Sequence, residues 1–219
     1  MMISTILGVG LDGMKAADDG ISGWVNGKTA DPGTGKAEGE YRAVKPENIE
    51  MPTVPIINVS MQTVADMNGG TMPEKGNYIR KTAFQRTAER LGLNENEAAY
   101  IEAENITRNG DAYVLKITKA SLDKMLSASS YADKIVPLES IAILDQIERI
   151  AQNGVYFSSK GDRKNRAQIN GYDYLTTTVY IDGEPYAVDM RVRVEDKKIG
   201  GANRLYHFTP EMIRVSKKD

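Results

Sequence analysis

Residues 171–194 read GYDYLTTTVYIDGEPYAVDMRVRV. Two runs rich in β-branched and aromatic residues flank Asp182 and Gly183, a pair that accepts the positive φ angles of a two-residue type I′ turn, so the segment predicts a β-hairpin. The turn sets the register. With Ile181 opposite Glu184, Thr177 faces Val188, Val179 faces Tyr186 and Leu175 faces Met190, which makes one side mostly apolar. On the other side Tyr174 pairs with Arg191 and Thr176 with Asp189, and Arg193 extends the row.

An apolar sheet face calls for a helix upon it, and the chain supplies one upstream. Pro137 opens a run in which Leu138, Ile141, Leu144, Ile147, Ile150 and Ala151 recur at helical spacing as far as Asn153 and Gly154, predicting one long helix. Between helix and hairpin lie a short strand, VYFSS, and a charged loop, GDRKNRAQING. Downstream, RLYHFT predicts a closing strand; with Tyr206 and Phe208 turned inward, His207 points out beside Arg191.

Farther upstream, DAYVLKIT (111–118) reads as a half-buried strand followed by a helix from Lys119 to about Leu126. Ile79, Ala83, Phe84, Thr87 and Leu91 form an amphipathic helix stopped at Gly92, and a second short helix is expected over Asn94 to Ala103. VPIINVS, behind Pro55, suits an edge strand or extended arm. The first 50 residues carry 9 of the 20 glycines, and Trp24 is their only large anchor, so residues 1–51 read as a leader or linker and 52–219 as the domain. The expected fold class is α+β: N-terminal helices, then an antiparallel sheet of about four strands packed on the long helix.

Composition narrows the chemistry. The 219 residues are 41% hydrophobic and 26% charged, with a net charge of -2. From Lys160 onward 12 basic residues face 9 acidic ones, so that part is +3 and the rest -5, which leaves room for a local basic patch. No cysteine is present and His207 is the only histidine, which removes thiolate zinc sites, cysteine nucleophiles, His-rich metal sites and two-histidine acid–base pairs. No cofactor or metal is expected. Without an apolar run of about 18 residues or a signal-peptide pattern, no membrane association is expected and the cytoplasm is the default location.

Three short motifs fail on context. Gly8, Gly10 and Gly13 spell GxGxxG, but Gly20 and Gly23 interrupt the helix that a dinucleotide site needs. DPGTGKA has Ala30 where a phosphate loop begins with glycine and Ala37 where it needs Ser or Thr. The carboxylate pairs Glu102/Glu104 and Asp18/Asp19 lie in solvated segments.

What remains is the polar sheet side with Tyr174, Asp189, Arg191 and Arg193, flanked by Lys160, Arg163, Lys164 and Arg166 and joined by His207. Guanidinium groups bind phosphate oxygens bidentately, aromatic rings stack on unpaired bases, and a histidine or tyrosine can move the proton of an attacking 2′-hydroxyl. The same residues also suit the solvated side of a soluble sheet.

The run from Pro137 to Phe208 resembles the nuclease-like domain of phage and mobile-element polyvalent proteins, grouped with the barnase, EndoU, colicin and RelE fold. The matching elements are LESIAILDQIERIAQNGVYFSS, the loop DRKNR, the GYDY strand entry, the IDGEPY turn and the closing YHF. The resemblance implies a helix-plus-antiparallel-sheet domain acting as a metal-independent endoribonuclease, a toxin or effector of a phage or mobile element. RNA would be its substrate, an immunity or antitoxin protein its partner, and the host cytoplasm, or delivery within a phage or effector protein, its setting. Carried over, the closing Tyr-His maps to Tyr206 and His207 and the strand basic residues to Arg191 and Arg193; Tyr174 and Ser129 complete the catalytic candidates, and Lys160, Arg163 and Arg166 those for substrate binding. Relatives often carry a Ser-x-Ser-His-like signature before the long helix, whereas this chain reads SASSYAD, with Tyr131 near the histidine position. A catalytically inactive binding or structural accessory module is the alternative reading.

Overall fold

The computed structural model describes residues 45–50, 55–131, 133–164, 166, 169–198 and 204–218; Ser130, residues 196–198 and 204–209, Glu211 and Met212 are described by backbone alone. Its centre is the expected hairpin, β6 (Ile169–Ile181) and β7 (Glu184–Lys198). Asp182 (φ 48°) and Gly183 (φ 88°) both take left-handed conformations, as a type I′ turn demands. Ile181 stands opposite Glu184, Leu175 opposite Met190, Tyr174 opposite Arg191 and Thr176 opposite Asp189. β8 (Arg204–Lys217) pairs with β7, and a bulge between Arg191 and Val192 skips Glu211 beside Pro210, a residue with no N–H for the ladder.

The sheet is larger than the four antiparallel strands expected. Among the described residues it has 8 strands and is mixed, because two pairings are parallel. β2 (Ile57–Val59) runs parallel to one end of β6, and β5 (Val155–Lys160) antiparallel to its other end. Beyond β8 lie β4 (Asp111–Thr118), β3 (Ala98–Arg108) and β1 (Glu47–Asn48), so a strand falls within the stretch read as leader. Residues 1–44 of that leader lie outside the described residues.

The short helix expected over Asn94 to Ala103 is instead the start of β3. Ala and Glu favour helix locally, but Asn109 (φ 56°) and Gly110 (φ 79°) form a second hairpin turn that hands β3 to β4. Ile101 and Ala103 then alternate into the core, opposite Leu115 and Tyr113.

Helices cover one face of the sheet: α1 (Gln62–Met67), α2 (Gly76–Arg90), α3 (Lys119–Met125), α4 (Leu138–Ala142) and α5 (Ile147–Gln152). The last two replace the single long helix, since Ile143–Gln146 tightens into a 3-10 turn between them. Ile141, Ala142, Ile143 and Leu144 are all buried, and four consecutive apolar residues exceed the stripe that one α-helical face can bury. Arg90 Nη2 donates to the carbonyl of Leu144, 2.8 Å, at this break. The core joins Ile141, Leu144 and Ile147 to Leu175, Val179, Val188 and Met190, and Thr177 Oγ1 donates to the Ile150 carbonyl, 3.0 Å.

The two ends of the sheet meet. Asn48 Nδ2 donates to the carbonyl of Tyr156 (2.7 Å), and Tyr156 N–H donates to Asn48 Oδ1 (2.8 Å). One carboxamide thus does for β5 what a neighbouring backbone would do. The closure brings Arg108 on β3 to Asp173 on β6, a pair 65 residues apart in sequence.

Candidate nucleic-acid interface

Alternation along β6 and β7 separates two sets of side chains. Asp173, Leu175, Thr177, Val179 and Ile181 point inward and are buried, whereas Tyr172, Tyr174, Thr176 and Tyr180 are half-buried on the outer face, away from the helices. Opposite Tyr172 stands Arg193 and opposite Tyr174 stands Arg191.

The outer rings and cations interleave. The Arg191 guanidinium carbon lies 4.9 Å from the Tyr172 ring centroid, a cation–π distance. On β5 the bulge between Tyr156 and Ser158 carries Phe157, whose ring centroid is 6.1 Å from that of Tyr174. Lys160 stands opposite Tyr172. Arg166 forks onto Asp162, with Nε to Oδ2 at 2.9 Å and Nη2 to Oδ1 at 2.9 Å, and also donates to the Tyr172 hydroxyl. Those bonds, with backbone N–H groups of Arg166 and Lys164, lower the Asp162 carboxyl to about 2. Burial raises the Tyr174 hydroxyl above its ordinary value, against the pull of Arg191 and Arg163. Arg193 pairs with Glu195, 2.7 Å.

Of the sequence candidates, Tyr174, Arg191, Arg193, Lys160, Arg163 and Arg166 therefore gather on or beside one sheet face. His207 stands opposite Glu195 and Tyr206 opposite Asp196, with both side chains outside the described ones. Arg191 is four residues along β7 from Glu195, about 13 Å at 3.3 Å per residue, so the register sets His207 nearer to Arg193, whose partner is Thr209. Ser129 is not brought to this face. It sits in the 3-10 turn Ala128–Ser130, hydrogen-bonded to Ser127 at 2.8 Å, in a segment whose Ala128 and Tyr131 pack against the core. Tyr131 donates its hydroxyl to the Ile213 carbonyl, 3.4 Å, and burial raises its pKa.

A second polar cluster escaped the sequence reading. Asp173 is 0% exposed and Arg108 4%, and the two form an ion pair inside the closed sheet. Tyr113 donates to Asp173 Oδ2 (2.7 Å) and Ser159 to Oδ1 (2.8 Å). The single Ser159 hydroxyl hydrogen is thereby committed, so the 2.8 Å contact between Tyr156 and Ser159 has Tyr156 as its donor. Burial raises the Tyr156 hydroxyl pKa, with the Ser159 hydrogen bond opposing. The signal was present in GYDY: the alternation that buries Leu175 and Thr177 also buries Asp173, and a buried carboxylate needs donors.

Among the described residues there is no His, Cys, Asp and Glu cluster able to hold a metal ion, and no helix long and apolar enough to cross a membrane. Comparison with curated proteins and with solved structures finds no match. A family model does match, over residues 88–206. That span exceeds half of the 219 residues and contains both the outer aromatic–cationic face and all five members of the Asp173 network. The chain therefore belongs to the family described as large polyvalent protein-associated domain 3.

Proposed function

We propose that this domain binds single-stranded RNA on the outer face of β5, β6 and β7, as a module of a phage or mobile-element polyvalent protein. The observation that carries the reading is the interleaving of Phe157, Tyr172 and Tyr174 with Lys160, Arg163, Arg191 and Arg193 on the sheet side away from the helices. Rings offer stacking to unpaired bases of any sequence, and the cations follow the phosphates between them.

Fluorescence polarisation with a labelled RNA octamer, over a range of salt, tests it. Each phosphate neutralised on a single strand adds about -0.7 to the log–log salt slope, so this face should give a slope between about -1 and -3. Tyr174→Ala should weaken binding by roughly tenfold, the loss of one stacked base, and Arg191→Ala should weaken it and flatten the slope by about 0.7. An octamer that fails to bind at low salt sinks the proposal.

Ribonuclease activity is the second reading, favoured by the register of His207 opposite Glu195 and two residues along β8 from Thr209, the partner of Arg193. Histidine would serve as general acid or base and Arg193 would stabilise the developing phosphorane charge. If so, RNA is cleaved in EDTA, and His207→Ala lowers cleavage by about a hundredfold or more while binding persists. Binding without cleavage leaves the accessory module.

A further inference from the structure

One row along from Tyr174 and Arg191, Asp189 stands between Thr176 on β6 and Arg214 on β8. It is 8% exposed, and among the described residues its Oδ1 has no hydrogen-bond partner. Burial raises the carboxyl above the usual carboxylate range, against a Thr176 hydrogen bond and the charges of Arg214 and Lys218. Lys218 Nζ donates to Thr178 Oγ1, 2.8 Å. A buried acceptor left unmatched in a folded domain is costly, and it points to a donor that arrives with a ligand.

The ligand's chemistry follows from charge and spacing. A phosphate is repelled by the carboxylate, so the arriving group is a neutral donor. Two residues along a strand put Asp189 about 7 Å from Arg191. The Watson–Crick edge of a base lies farther from its own phosphate than the ribose hydroxyl does, which favours the base. The side chains beside Asp189, Arg214 and Lys218, are long and flexible, so a base edge gains access by moving side chains while the sheet stays in place.

We infer that Asp189 reads a base edge of the bound strand, accepting a hydrogen bond from an exocyclic amino group such as that of cytosine and disfavouring uracil, which presents a carbonyl there. The inference rests on the RNA-binding reading of the same face.

The test compares labelled C8 and U8 oligoribonucleotides, which are alike in charge and differ at the base edge, on the full chain. Wild type should bind C8 about tenfold more tightly, the size of one well-made base contact. Asp189→Leu, which keeps the branched shape and removes the acceptor, should bring the two within about twofold, by weakening C8 and not U8, with circular dichroism and melting temperature unchanged. Equal binding of both octamers by wild type overturns the inference without any variant and leaves the RNA-binding face standing. A preference that survives in Asp189→Leu overturns the role of Asp189. Binding of neither octamer removes the face reading and this inference together.

Discussion

Asp173→Asn is the most searching perturbation of the fold, because it removes one charge and almost no volume. Asp173 is 0% exposed and accepts from Arg108, Tyr113 and Ser159. The carboxamide keeps the shape and can still accept a hydroxyl, but it leaves the Arg108 guanidinium, 4% exposed, buried without its counter-charge. Removing one partner of a buried ion pair costs roughly 3–5 kcal/mol. A domain's whole stability is about 5–15 kcal/mol, so the loss is a large fraction of it. In urea, with a slope of about 2 kcal/mol per molar, the midpoint should fall by roughly 2 M. Arg108→Met should cost a similar amount, and the double variant should cost less than the sum by more than about 1 kcal/mol, since each single change strands the other group. Hydrogen exchange should quicken most in β1 and β5, the strands that the pair helps to hold together. A midpoint shift under about 0.5 M, or single costs that simply add, would refute the view that this pair locks the sheet closed.

Two further outcomes are expected. Asn48→Ala deletes both hydrogen bonds to the Tyr156 backbone and should destabilise by about 1–2 kcal/mol, with exchange of the Tyr156 amide accelerated; an unchanged amide would show that β5 is held without Asn48. Asp162, lowered to about 2 by Arg166, stabilises its loop above the unfolded carboxylate pKa of about 3.9 and loses that contribution as pH falls through about 2; carboxyl NMR should show the low value in wild type and its return towards 3.9 in Arg166→Ala.

Legibility varied with how local the deciding signal was. The hairpin register of Leu175, Val179, Val188 and Met190 could be read because Asp182 and Gly183 leave only one turn and the period of two does the rest. The same turn chemistry at Asn109 and Gly110 was available and outweighs the helix propensity of the Ala- and Glu-rich run before it. The outer face was legible as well, since Tyr174 opposite Arg191 follows from register alone.

The sequence by itself determined the elements whose pattern is complete within about 25 residues: the β6–β7 hairpin, α2 and α3, and the side of the sheet on which each hairpin residue lies. Tertiary structure alone decided that β2 runs parallel to β6, that β4 meets β8 through Leu115 and Phe208, and that Asn48 reaches Tyr156 across 108 residues. It also decided that Ile143–Gln146 leaves α-helical geometry, and that Asp173 meets Arg108. Local propensity has no term for such contacts, because each is stabilised by burial and charge that exist only after distant strands have come together.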